Sequence, residues 1–221
     1  MTKSAKGKAS ANREGVLFDV QAAYADSVFR SGINDQHGSI VALERCLELD
    51  PTYPPAILSM GSVEYQRGRP AHGRRLFRSL LALPNGTIKL SELREIVDEA
   101  GDFLIQRGAF EDGPALFRAA VDRFPESSAF HQGLACCAGH QGLYDEAVKA
   151  SEQALRLDPG NQTLTNDLGW SLLQAGHFRE AEKMLGRAVA MDASDLLARE
   201  NLRVCEEKIS TVMTKPATTG K

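Results

Sequence analysis

An all-α fold built from repeated helix pairs is what the sequence predicts, and three observations predict it. Gly108, Gly142 and Gly176 recur at one constant interval of about 34 residues, and Pro125 and Pro159 repeat it. Each glycine lies between two stretches with helical apolar patterning. At fixed offsets after each comes an aromatic (Phe110, Tyr144, Phe178), then a small residue (Gly113, Ala147, Ala181), then another (Ala120, Ala154, Ala188). The glycine closes a first helix, because a residue without Cβ takes the left-handed closing conformation at no steric cost. Small residues on the second helix let the two antiparallel helices approach closely, while the aromatic fills the turn.

Residues 1–14 carry Lys3, Lys6, Lys8 and Arg13 among small polar residues, with no apolar run for a signal-peptide core, and are expected to form a disordered basic tail. A weak association of this tail with an acidic partner or membrane surface is a minor alternative. The first pair spans 18–53: Gly32 closes a helix containing Leu17, Phe18, Tyr24 and Phe29, and Ser39, Leu43, Cys46 and Pro51 follow after a turn two residues longer. In the second pair, 54–87, Gly68 closes a helix with Met60, Gly61 and Val63, and Pro70 opens the next, which holds Gly73, Phe77 and Leu80. The interval from Gly68 to Gly108 is longer by about six residues, which lie around Asn85 to Glu92, in a longer connection or a longer next helix. Pairs three to five span 88–127, 128–161 and 162–195. Residues 196–213 read as one more amphipathic helix, with Leu202, Cys205 and Ile209 on one side and Arg203, Glu206 and Glu207 on others; a solenoid needs such a helix over its last apolar face. The polar stretch 214–221 is a second expected tail.

The composition narrows the function. With 221 residues, 43% apolar and 25% charged, the chain is globular, and a net charge of −3 gives no basic surface for nucleic acid. No stretch is long and apolar enough to cross a membrane. Cys46, Cys136, Cys137 and Cys205 show no disulfide spacing, so reduced thiols in a cytoplasmic protein are expected. Nucleophile-elbow, phosphate-loop, HExxH and dinucleotide motifs are missing, and His37, His72, His131, His140 and His177 fall mostly in turns or at helix ends. The chain reads as a non-enzyme without a cofactor. Cys136 and His140, four residues apart with His131 and Cys137 nearby, are the one candidate metal cluster; no second ligand pair has matching spacing, so packing is the better reading.

From about Val20 to Asp195 the sequence resembles the tetratricopeptide-repeat (TPR) family. Residues 128–161 fit best, through Leu134, Ala135, Gly142, Tyr144, Ala147, Ala154 and Pro159. Residues 162–195 fit through Leu168, Gly169, Gly176, Phe178, Ala181 and Ala188, departing where Ala193 replaces the usual proline. The resemblance implies a right-handed superhelical solenoid of five helix pairs plus a capping helix, which binds a protein or peptide in a concave groove lined by the first helix of each pair. The groove positions are then Leu58, Ser62 and Tyr65; Asp98 and Asp102; Gln132, Cys136 and His140; and Asn166, Trp170, Leu173 and Gln174. Trp170, the single tryptophan, is either a binding anchor or a packing residue against a neighbouring repeat. Glu95, Asp98, Glu99 and Asp102 form either an acidic binding patch or a solvated face. Together they suit a peptide with Lys or Arg beside an apolar residue. The carboxylate-clamping adaptors of the family place Lys, Asn and Arg where this chain has Gln132, Cys136 and Asp167, or Leu58 and Ser62, which disfavours that mode. The alternative is self-assembly, with the groove or an end helix binding a second copy.

Overall fold

The structure, a computed structural model, describes residues 3–214, with side chains from 15 to 212. Eleven helices and no strand occur among the described residues: α1 (Lys3–Gly32), α2 (Gln36–Leu49), α3 (Pro54–Gln66), α4 (Pro70–Leu81), α5 (Leu90–Gln106), α6 (Gly113–Arg123), α7 (Ser128–His140), α8 (Tyr144–Leu157), α9 (Gln162–Gln174), α10 (Phe178–Met191) and α11 (Leu196–Thr214). The chain divides near residue 103 into two compact units.

One closing turn recurs throughout, and it explains the period. At Gly68, Gly108, Gly142 and Gly176 the backbone takes φ between 71° and 83°. Around Gly142, Gly142 N–H bonds Gly139 O at 3.0 Å and Leu143 N–H bonds Ala138 O at 2.9 Å, which satisfies two carbonyls the helix end would otherwise leave open. The first pair corrects the expectation that Gly32 closes its helix. Gly32 is the last helical residue, and Asn34, one full interval before Gly68, takes the left-handed conformation with φ 63°. Asparagine tolerates that region better than other residues with a Cβ, so the turn keeps the common phase and is not two residues longer.

In the first unit, α1 packs on α2 and α3 on α4, around Val20, Leu43, Cys46, Ala56 and Met60. Glycine sets the close contacts: a Cβ on Gly61 would lie 2.3 Å from the Phe77 ring. The extra residues before α5 are split. Residues 82–89 make a longer connection that turns at Gly86, and α5 itself reaches 17 residues.

In the second unit, α7 packs on α8, α9 on α10, and α11 on both α9 and α10. Leu164, Leu168, Leu172, Leu185 and Cys205 form its core, each leucine contributing about 1.5–3 kcal/mol by leaving water. Gly133 and Gly169 admit Phe117 and Leu185, whose atoms would lie 2.3 and 2.6 Å from an added Cβ. α6 starts at Gly113, three residues after Phe110, because Pro114 belongs in a first turn and lacks the N–H that a longer helix would use.

The N-terminal stretch also differs from expectation. α1 begins at Lys3, so residues 3–14 continue a helix where a disordered tail was expected. Ala5, Lys6, Lys8, Ala9 and Ala11 are good helix formers without an intervening proline, and the docked stretch around Val20 supplies the nucleus from which they propagate. Of the expected tail 214–221, Thr214 ends α11 and the rest lies outside the described residues.

Candidate functional site

In the second unit the first helices of successive pairs lie side by side: α7 touches α9, and α9 touches α11. Their shared face carries a row of polar side chains. Gln132 Nε2 on α7 donates to Asp167 Oδ2 on α9 at 2.6 Å, and Asn201 Nδ2 on α11 donates to Asn166 Oδ1 at 3.0 Å. Asn166 Nδ2 joins the two by donating to Asp167 Oδ1 at 3.4 Å. The order follows from the repeat, since Gln132 to Asp167 and Asn166 to Asn201 are both 35 residues, one period plus one. Trp170, one turn along α9 from Asn166, is 37% exposed. Gln174, half-buried on the same helix, lies over Gly139 on α7, where a Cβ would come 2.9 Å from its amide oxygen.

Burial shapes the chemistry of this face. It raises the Asp167 carboxyl above its ordinary value, against the lowering effect of the Gln132 and Asn166 hydrogen bonds. Burial, and then the charge of Asp167, raises the Cys136 thiol; burial pushes the adjacent Cys137 thiol up to about 12. Both therefore stay protonated at neutral pH and are poor nucleophiles and poor metal ligands. Cys137 packs against Gly113, and His140 stacks on Phe110 with ring centres 3.6 Å apart, which separates the residues of the candidate metal cluster into packing roles. Among the described residues no group of three or more His, Cys, Asp or Glu could hold a metal ion.

Some expected groove residues are covered. Tyr65 is 3% exposed, because its ring stacks on Phe77 and meets Phe103 edge-on at 5.6 Å. Leu173 joins the α9–α10 core, and Asn166 is buried by its bond to Asn201. In the first unit, Leu58 and Ser62 are half-buried, with Ser62 Oγ donating to Leu58 O at 3.2 Å. Asp98 is half-buried and Asp102 exposed on α5; burial, then the neighbouring Asp102, raises the Asp98 carboxyl. Asn201 escaped the sequence reading because it lies in the terminal helix, outside the repeat template. Its offset from Asn166, equal to that between Gln132 and Asp167, is the signal that marks it.

Models of the tetratricopeptide repeat match residues 99–162 and 140–202. A TPR repeat-containing protein of Bacillus subtilis, YpiA, is 25% identical over 166 residues, or 73% of this chain and 37% of that protein. The TPR repeat-containing thioredoxin TTL4 of Arabidopsis thaliana is 26% identical over 160 residues, 69% of this chain and 23% of its own length. The matched region thus spans well under half of either relative. Among solved structures, YrrB, described as a TPR protein with an unusual peptide-binding site, superposes with a TM-score of 0.57 at 17% identity, over 82% of this chain and 90% of YrrB. At that identity the likeness is one of fold. Helix pairs closing at one recurring interval, matched by two overlapping models of one repeat, lead to a single assignment: residues 99–202 are tetratricopeptide repeats, and the chain is similar in fold to proteins built from them.

Proposed function

We propose that this chain is an interaction scaffold, without catalytic activity, that holds an extended peptide or partner helix on the shared face of α7, α9 and α11. The observation that carries this reading is Trp170, a large aromatic 37% exposed beside a row of amides that are already cross-bonded. An indole supplies apolar area and one N–H, and the half-buried amides of Gln132 and Gln174 both donate and accept, which suits them to peptide groups, while the buried Asn166 and Asn201 tie α9 to α11. Because hydrogen bonds hold the amides in place before binding, little ordering entropy opposes association. In the first unit, Asp98 and Asp102 on α5 form an acidic pair suited to Lys or Arg, so the favoured partner carries basic as well as apolar residues. The peptide-binding site described for YrrB supports this use of the fold. Among the described residues no helix is long and apolar enough to cross a membrane, and a cytoplasmic location is part of the proposal.

The test compares proteins captured from native lysate by the wild type, by Trp170→Ala, and by Asp98→Lys with Asp102→Lys. A partner retained by the wild type should bind Trp170→Ala at least about tenfold more weakly, as for an aromatic hot spot. Trp170 is the single tryptophan, so a tryptophan-free fragment of that partner should also shift its emission. Full retention of every partner by both variants would move the binding surface away from these helices.

A further inference from the structure

The first helix of the array leaves open a face that later first helices cover. Ala56 on α3, Phe130 on α7 and Leu164 on α9 occupy one place in the repeat, and they are 0%, 0% and 3% exposed. Seven residues on, Val63 on α3 is half-buried, and Cys137 and Ser171 are 0% and 5% exposed. On α1 the same places hold Ala22 and Phe29, and both are exposed, Phe29 at 65%. With Phe18 (71% exposed), Ala25 and Ile33 they form one continuous helical stripe at spacings of three and four residues. It lies opposite Val20 and Ser27, which are buried against α2.

Three features of the chain decide what covers this stripe. First, the outer face of α1 lacks the polar side chains that keep an exposed repeat helix soluble. Second, the outer face of α11 carries Arg203 bonded to Glu200 and Glu207, with Leu196 and Leu197 confined to its first turn. A head-to-tail stack would strip water from that ionic triad against Phe18 and Phe29, which costs more than leaving both ends apart. Third, the stripe is palindromic: Phe18 and Phe29 lie equally far from the midpoint between Ala22 and Ala25. An antiparallel copy about a twofold axis there sets Ala22 against Ala25 in both directions, at close approach, with a phenylalanine pair on either side. Along one border Arg30 bonds Asp26 at 2.8 Å and Asp35 at 3.0 Å, which with the exposed Asp19 leaves a rim of net negative charge outside the apolar stripe.

We propose that the exposed face of α1 is a self-association surface, on which a second copy of this chain docks its own α1 antiparallel to form an isologous dimer. The stripe and the flanking Leu17 and Val28 offer on the order of 500–600 Å² per copy, or about 1,000–1,200 Å² in total, near the lower bound for a specific interface. A reversible dimer follows.

The experiment is light scattering of the full chain up to about 100 μM, a range matched to an interface of this size. The wild type should rise toward twice the 24.0 kDa of one chain. Phe29→Glu should stay at the single mass with an unchanged thermal melt, and Trp170→Ala should dimerise like the wild type. Register is read by mixing Ala22→Cys with Ala25→Cys protein, which should form a mixed disulfide under mild oxidation, whereas Ala25→Cys with Ile33→Cys should not. A wild type that stays at one mass throughout overturns the proposal, and so does a dimer that Phe29→Glu leaves intact.

Discussion

Glu64 occupies a place where pairs three to five put Leu104, Ala138 and Leu172, all buried, and it is itself 2% exposed. Arg69 Nη2 donates to its Oε1 at 2.8 Å, His72 Nδ1 lies 2.9 Å from Oε2, and Arg67 lies at 3.4 Å. Arg67, Arg69 and His72 are about half exposed, so they regain water if the carboxylate is removed, and no charge is stranded. Glu64→Ala should therefore cost about 1–3 kcal/mol in urea unfolding, from the lost hydrogen bonds and the space left behind. Asp167 works in the other direction. Its carboxyl is raised by burial, so the folded chain holds that proton more tightly than the unfolded chain. This contribution favours folding at low pH and is lost as pH rises from about 3.9 through the folded value. Asp167→Asn keeps an oxygen for Gln132 without the charge. It should melt at or above the wild type at pH 7, the gap narrowing below about pH 4.

At the scale of the helix pair, the closing turn can be tested by placing one substitution at two glycines. Gly142 has φ 74°, whereas Gly160 has no positive φ and open space around its Cβ direction. Gly142→Val should lose about 1–2 kcal/mol more than Gly160→Val, because a β-branched side chain is strained in the left-handed region. Equal melting temperatures would reject this account of the turn. The same turn shows how far the sequence can be read. Glycine in this phase is visible, so α7 to α10 could be placed closely. Asn34 is the same device in another residue, and the nearby Gly32 drew the reading two residues away. At the face of α7, α9 and α11, period alone marks which residues point inward along the array. Period cannot show that Asn166 turns to Asn201, or, on α3 in the first unit, that Tyr65 sinks between Phe77 and Phe103, because those outcomes depend on side chains from other helices.

For the whole molecule, the two surfaces proposed above make opposite demands and so can be separated. Trp170 lies on α9, and Phe29 on the outer side of α1. In an array whose repeats touch mainly their neighbours, a change at one should not reach the other. Trp170→Ala should lose the partner while keeping the dimer mass, and Phe29→Glu should lose the mass while keeping the partner, both measured on the same preparations. A joint loss would signal unfolding, which the melt of each variant detects.

The closing turn bears, finally, on how such a chain can be inherited. Asn34 and Gly68 are one interval apart, as are Gly108, Gly142 and Gly176, and each ends its helix with the same pair of backbone hydrogen bonds. Duplicating or losing one whole interval leaves every remaining turn in phase, while gaining or losing a few residues inside a pair rotates one helix away from its neighbour. The chain departs from the interval once, and it places the surplus in the connection at 82–89 and in a longer α5, where extra length need not disturb an existing turn. Growth by whole duplicated segments, with drift confined to the joints, is the kind of ancestry that this geometry permits.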